Sequence, residues 1–116
     1  MTGSKAIRLI VTVVAAANAI IEQARYYTNQ EGQTLADRWE AAVYSALQRL
    51  PRTFARGPRC GFRNPELGNL RRIAVPGFPQ HLIFYQDEHE QGFVRVVHIL
   101  HGARDIEGLL TRQLLP

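Results

Sequence analysis

LRRIAV (Leu70–Val75), HLIFYQ (His81–Gln86) and FVRVVHILH (Phe93–His101) are three short segments dense in β-branched and aromatic residues. Such residues suit a pleated, half-buried surface, so each segment predicts a strand. Val75-Pro76-Gly77-Phe78 joins the first two. Proline pre-sets φ at the second turn position and glycine tolerates φ > 0 at the third, which makes a tight turn. Asp87 to Gly92 is an acidic turn before the third strand, and Gly102 ends that strand. The C-terminal half therefore predicts an antiparallel meander.

Towards the N-terminus, Ile7, Leu9, Val11 and Val13 alternate with Arg8, Ile10, Thr12 and Val14. A period of two predicts a further strand with one mostly buried face. From about Ala15 the spacing changes. Ala17, Ile20, Ile21, Ala24 and Tyr27 follow the three-and-four spacing of an amphipathic helix that ends near Glu31-Gly32. Thr34, with Asp37 three residues on, resembles a capping box opening a second helix. Leu35, Trp39, Val43, Ala46, Leu47 and Leu50 form its apolar stripe, with Trp39 as a core residue. Pro51 is expected to stop it, because proline has no N–H to donate. Two helices with so short a connection run antiparallel, as a hairpin.

In residues 51–69, Pro51, Pro58, Pro65, Gly57, Gly61 and Gly68 break any periodicity. A loop of this length in a small domain usually carries function. Ile106, Leu109 and Leu110 predict a short C-terminal helix. The fold class is α+β, in the order β-α-α-β-β-β, with an antiparallel sheet packed against the helical hairpin. The other face of the sheet is expected to be only partly covered, and so to be the working surface.

The length of 116 residues predicts one domain spanning residues 1–116. A hydrophobic fraction of 46% beside a charged fraction of 21% fits a globular chain and argues against disorder. A single cysteine, Cys60, excludes an internal disulfide framework, and nothing nearby in sequence supplies it with a base. The apolar run Ile7 to Ala17 is too short for a bilayer span, which needs roughly 20 residues. No secretory signal pattern stands out, so a reducing cytoplasm is the expected location.

Charge is unevenly placed. The net charge is +4, and Lys5 is the only lysine among fourteen basic residues. Residues 49–72 hold seven arginines against Glu66 alone. Such a concentration suits a polyanion or an acidic peptide.

Pleat alternation divides the third meander strand into Val94, Val96, His98 and Leu100 on one side and Arg95, Val97, Ile99 and His101 on the other. His98 then reads as a core histidine held by one backbone hydrogen bond. Arg95 and His101 share the more polar side, Arg104 follows just after Gly102, and one of Arg71 and Arg72 is expected to face away from the helices. Arginines can stabilise a phosphorane-like transition state while a histidine moves a proton, so Arg95, His101 and Arg104 form one candidate catalytic set. Asp105 and Glu107 stand close enough in sequence to neutralise Arg104 instead. No phosphate-cradling glycine loop, serine elbow or helical His-x-x-x-His pattern is present. His98 and His101 are expected on opposite faces, so no metal site and no cofactor are expected.

Asn64-Pro-Glu-Leu-Gly-Asn-Leu-Arg-Arg72, Phe78-Pro-Gln-His-Leu-Ile-Phe-Tyr85 and Val94-Arg-Val-Val-His-Ile-Leu-His-Gly-Ala-Arg-Asp-Ile106 resemble the RelE/ParE superfamily of bacterial type II toxins, and look most like its ParE branch. The resemblance implies a toxin encoded beside a cognate antitoxin, ParD-like or similar. That antitoxin would neutralise it with an extended segment, and contact with operator DNA would come only through the antitoxin. It also implies a role in plasmid stabilisation, without a membrane partner. ParE-like relatives are implied to inhibit DNA gyrase by stabilising its cleaved DNA complex, with no catalysis of their own. RelE-like relatives cut messenger RNA on the ribosome.

The RelE branch uses lysines and arginines on the sheet and a tyrosine or histidine near the C-terminus. Here lysine is confined to Lys5, and Leu109 or Leu110 stands near the expected tyrosine. The gyrase reading therefore comes first, and a ribosome-dependent mRNA endoribonuclease using Arg95, His101 and Arg104 is the alternative. The expected surface for target or antitoxin binding is Arg59, Arg63, Arg71, Arg72, Arg95, His101 and Arg104. The antitoxin groove is expected between the helical hairpin and the sheet edge.

Overall fold

The computed structural model describes residues 9–88, 92–102 and 105–114. Strand β1 (Leu9–Thr12) leads into helices α1 (Val14–Glu31) and α2 (Gln33–Thr53). A single 3₁₀ turn, Pro65–Leu67, precedes β2 (Arg71–Val75), β3 (Phe78–Glu88), β4 (Phe93–His101) and α3 (Ile106–Leu114). The observed order is the expected one. The four strands form one sheet in the order β1-β4-β3-β2. The meander is antiparallel, but β1 pairs with β4 in parallel, because the intervening helical hairpin returns the chain to the same end of the sheet.

Several boundaries differ from the sequence reading. Gly32 alone joins the helices: its N–H caps α1 on the Tyr27 and Thr28 carbonyls, and its own carbonyl receives Ala36 N–H. At φ 102° this is a backbone state that glycine adopts freely. Thr34 therefore lies inside α2, and Asp37 instead accepts from the Gln33 side chain at 2.7 Å. Pro51 does not stop α2, which runs on to Thr53. Thr53 Oγ1 donates to the Arg49 carbonyl, and Phe54 N–H to that of Leu50, so the last turn keeps its partners around the proline. β3 starts three residues earlier than expected. The turn before it has Gly77 at φ 81°, as its sequence predicts.

The hairpin covers one face of the sheet. Ala16 and Ile20 of α1, and Trp39, Val43, Ala46, Leu47 and Leu50 of α2, close over Val75, Ile83, Tyr85, Val94, Val96 and Ile99. The opposite face, expected to be only partly covered, carries a core of its own. A second apolar cluster joins Leu67, Leu70, Phe84, Val97 and Leu110 beneath α3 and the 60–70 segment. That burial follows from hydrophobicity on both sides of β3 and β4: Phe84 and Val97 must be shielded from water as surely as Ile83 and Val96. Among the described residues, no helix is long and apolar enough to cross a membrane.

Residues 54–70 are also less of a loop than their composition suggests. Cys60 N–H donates to the Leu70 carbonyl and Arg72 N–H to that of Pro58, with Arg59 bridged to Arg71. This short stretch shields the outer edge of β2, an edge that would otherwise present unpaired backbone groups.

Candidate functional site

One residue of β4 redistributes the expected site. Phe84 pairs with His98, but Tyr85 pairs with Val96, so Val97 is an extra residue in β4. A bulge of this kind reverses the pleat beyond it. Before the bulge Val94 and Val96 face the hairpin and Arg95 faces α3. After it Ile99 and His101 face the hairpin, and His98 and Leu100 face α3. Arg95 and His101 therefore lie on opposite faces of the sheet, and the expected convergence of the two does not occur. Arg104 lies outside the described residues. Asp105 and Glu107 have other uses: Asp105 Oδ1 accepts Gly108 N–H at 3.0 Å, and Glu107 Oε2 accepts Asn64 N–H at 2.7 Å.

His98 is core, as expected, yet it has two partners rather than one. Ile99 N–H donates to Nδ1 at 2.8 Å. The ring proton then sits on Nε2, which donates to Gln113 Oε1 of α3. Both nitrogens are occupied, and the Nε2 bond holds β4 to α3.

His101 is exposed and stacked on His81, its cross-strand partner, with ring centroids 4.3 Å apart. His81 is 2% exposed and sits among Tyr27, Trp39 and Phe78. Its Nε2 is hydrogen-bonded to Tyr27 Oη at 2.7 Å, and its Nδ1 has no partner among the described residues. Burial, and then the neighbouring His101, pull its pKa down to about 4. Burial raises the Tyr27 hydroxyl, with Tyr26 acting the same way. A cavity of about 250 Å³ opens between this cluster and the start of β3, from Gly77 to Gln80. His81 is not among the site residues expected from the sequence. The signal was its alternation with Ile83 and Tyr85, which places all three beneath the hairpin.

The arginines have separate fates. Arg71 Nη1 donates to the Gly57 carbonyl at 2.6 Å and to that of Ala55 at 3.2 Å, so it clips the chain after α2 to β2. Arg72 pairs across to Phe84, on the α3 side, and its side chain lies beside Cys60. It is thus the one of the two that faces away from the hairpin. Burial pushes the Cys60 thiol up, and Arg72 only partly opposes this, so the sulfur is held as a thiol. Arg95 makes a loose ion pair with Glu88 at 3.7 Å and lies 5.6 Å from the Phe93 ring. Arg59 and Arg63 are exposed, and their side chains have no hydrogen bond or ion pair among the described residues. The same holds for Arg49, Arg52 and Arg56 around the end of α2, which the expected site did not include.

Arg95 also lines a cleft of about 310 Å³ on the α3 side. Val13, Leu67, Leu70, Val97 and Leu114 give it apolar walls, and Gln86, Glu66 and Gln113 give it polar ones. Among the described residues, no group of three or more His, Cys, Asp or Glu is placed to hold a metal ion.

The family model for the ParE toxin of type II toxin–antitoxin systems (parDE) matches residues 11–106. The chain belongs to this ParE toxin family and is a toxin of the type II class. A chain from the chromosomal ParDE system of P. aeruginosa has the same fold, at a TM-score of 0.69 and 11% identity, over 86% of this chain and 100% of that one. The isolated E. coli RelE toxin superposes at a TM-score of 0.45 with 16% identity, over 93% of this chain and 99% of the other. No curated protein matches the sequence.

Proposed function

We propose that this toxin acts on DNA gyrase, stabilising its cleaved DNA complex by binding rather than by catalysis, and that an extended segment of a cognate antitoxin neutralises it. The observation that carries the reading is the separation of Arg95 from His101 by the thickness of the sheet. A ribonuclease needs a proton carrier within reach of the groups that stabilise the phosphate. His98 is tied to Ile99 and Gln113, and His81 is buried against Tyr27 and Trp39. What the molecule offers instead, among the described residues, is guanidinium groups on exposed surface without a side-chain partner, which suit charge-assisted contact with phosphate or carboxylate.

For the antitoxin, the cleft beside Arg95 fits better than the groove expected along the hairpin. It joins apolar walls to the Arg95 cation, with Glu66 on its rim, a match for an amphipathic strand that brings a carboxylate to Arg95, and it adjoins the end of β1, an edge strand of the sheet. Operator contact would then be a property of the pair, through the antitoxin.

The test incubates the toxin with gyrase and supercoiled plasmid. Accumulation of linear DNA after protein denaturation supports the reading; unchanged cleavage and unchanged supercoiling overturn it. His101→Ala is expected to leave that activity intact. Primer extension on translated messages addresses the ribonuclease alternative, and cuts in the ribosomal A site that vanish with His101→Ala would replace the proposal.

A further inference from the structure

The outer face of α2 has a composition that neither apolar cluster requires. Arg38, Ser45, Arg49 and Arg52 fall within roughly 60° of one another on the helix at 3.6 residues per turn. They lie away from the buried stripe of Trp39, Val43, Ala46, Leu47 and Leu50. Arg56, just beyond the helix, continues the row. Arg49, Arg52 and Arg56 line a concavity of about 580 Å³ together with Ser45, Gln48 and Thr53. One basic residue in a last helical turn is explained by the carbonyl end of the helix dipole. Three around one depression, without an acidic partner among the described residues, are not.

We infer that this concavity is a binding surface for the phosphodiester backbone of duplex DNA. Every lining residue is polar, and the set of Arg, Ser, Thr and Gln is the one that protein surfaces use towards phosphate and sugar. A peptide partner would need a buried apolar or aromatic anchor at its centre, and the lining contains none. Phosphate contacts position a protein without reading bases, so binding is independent of sequence and sensitive to salt. The choice of DNA among polyanions rests on the gyrase reading, in which the target complex contains cleaved duplex. The arginine row would then hold the DNA arm of that complex while other surfaces meet the enzyme.

The experiment uses the whole chain and a fluorescein-labelled, mixed-sequence DNA duplex, without gyrase, followed by anisotropy across a salt series. Three phosphate contacts give a log–log slope of about −2.7, an affinity loss of about 40-fold between 50 and 200 mM salt. Arg49→Ala, Arg52→Ala and Arg56→Ala are each expected to flatten that slope by about 0.9. Alanine at Arg49 and Arg52 keeps the exposed helical face, Arg56 is exposed beyond the helix, and Arg25→Ala on α1 is the charge control with no expected change. A slope that survives in the triple variant overturns the inference. So does binding of polyglutamate, but not of duplex, at this face, which would make it a peptide surface. Because gyrase is absent, the salt slope supports the inference even for a toxin that fails to raise gyrase cleavage, and that failure sinks only the functional reading.

Discussion

His81 and His101 stack face to face across β3 and β4, one ring buried beneath the hairpin and the other in solvent. Of the two, only the buried ring is enclosed by Tyr27 and Trp39, and its environment opposes a positive charge.

The first prediction concerns pH. The His81 pKa falls from 6.5 to about 4 on folding, so the unfolded chain binds the extra proton between those values. Stability is therefore full above about pH 6.5 and declines as pH falls towards 4. The loss attributable to this residue is at most about 3 kcal/mol. Urea unfolding at several pH values checks it. His81→Asn should be less stable at neutral pH but should lose most of the dependence in that window. His101→Ala should raise the His81 pKa and shrink the dependence, since a like charge is removed.

Arg71 is expected to matter for stability rather than for target binding. Its two hydrogen bonds to the Ala55 and Gly57 carbonyls hold the segment after α2 against β2. Arg71→Ala should cost about 1–3 kcal/mol in urea unfolding, because the buried Gly57 carbonyl loses its donor. Gyrase cleavage per folded molecule should be unchanged. A variant of full stability would show that the clip contributes nothing.

Gly57 is small because Tyr85 is beside it. A Cβ at this position would collide with Tyr85 Oη and stand 3.0 Å from the Arg72 carbonyl oxygen. Tyr85 is fully buried and donates to the Phe54 carbonyl at 2.8 Å, so it has little freedom to retreat. Gly57→Ala should destabilise by about 1–3 kcal/mol. Tyr85→Phe removes the nearest atom, so the double variant should lose less than the sum of the single ones. Strict additivity in a double-mutant cycle would refute the contact.

For antitoxin binding, Arg95 is the informative position. Its guanidinium lines the cleft between the start of α1, α3 and the 3₁₀ turn, and its pair with Glu88 is loose and part-exposed. A part-exposed pair contributes little, so reversal of the charge should barely change stability. Arg95→Glu should weaken binding of the antitoxin by about tenfold or more, since a repulsive contact replaces an attractive one. Isothermal titration with the product of the neighbouring gene measures it, and unchanged affinity would place the antitoxin elsewhere.

Much of this molecule was legible in its residues. Element order, the hairpin, the turn at Pro76-Gly77 and the core role of Trp39 all follow from local periodicity and turn chemistry, which act over a few residues. So does the concentration of arginine between residues 49 and 72. The grouping of the site was not legible, because it depends on pairing between segments distant in the chain. The extra residue at Val97 exists only relative to Tyr85 and Phe84, and it moves His101 away from Arg95. Likewise, the burial of both sheet faces was settled only when α3 docked over Phe84 and Val97. Side-chain alternation is a local property of a strand, whereas the face it presents is set by register, and register belongs to the sheet as a whole.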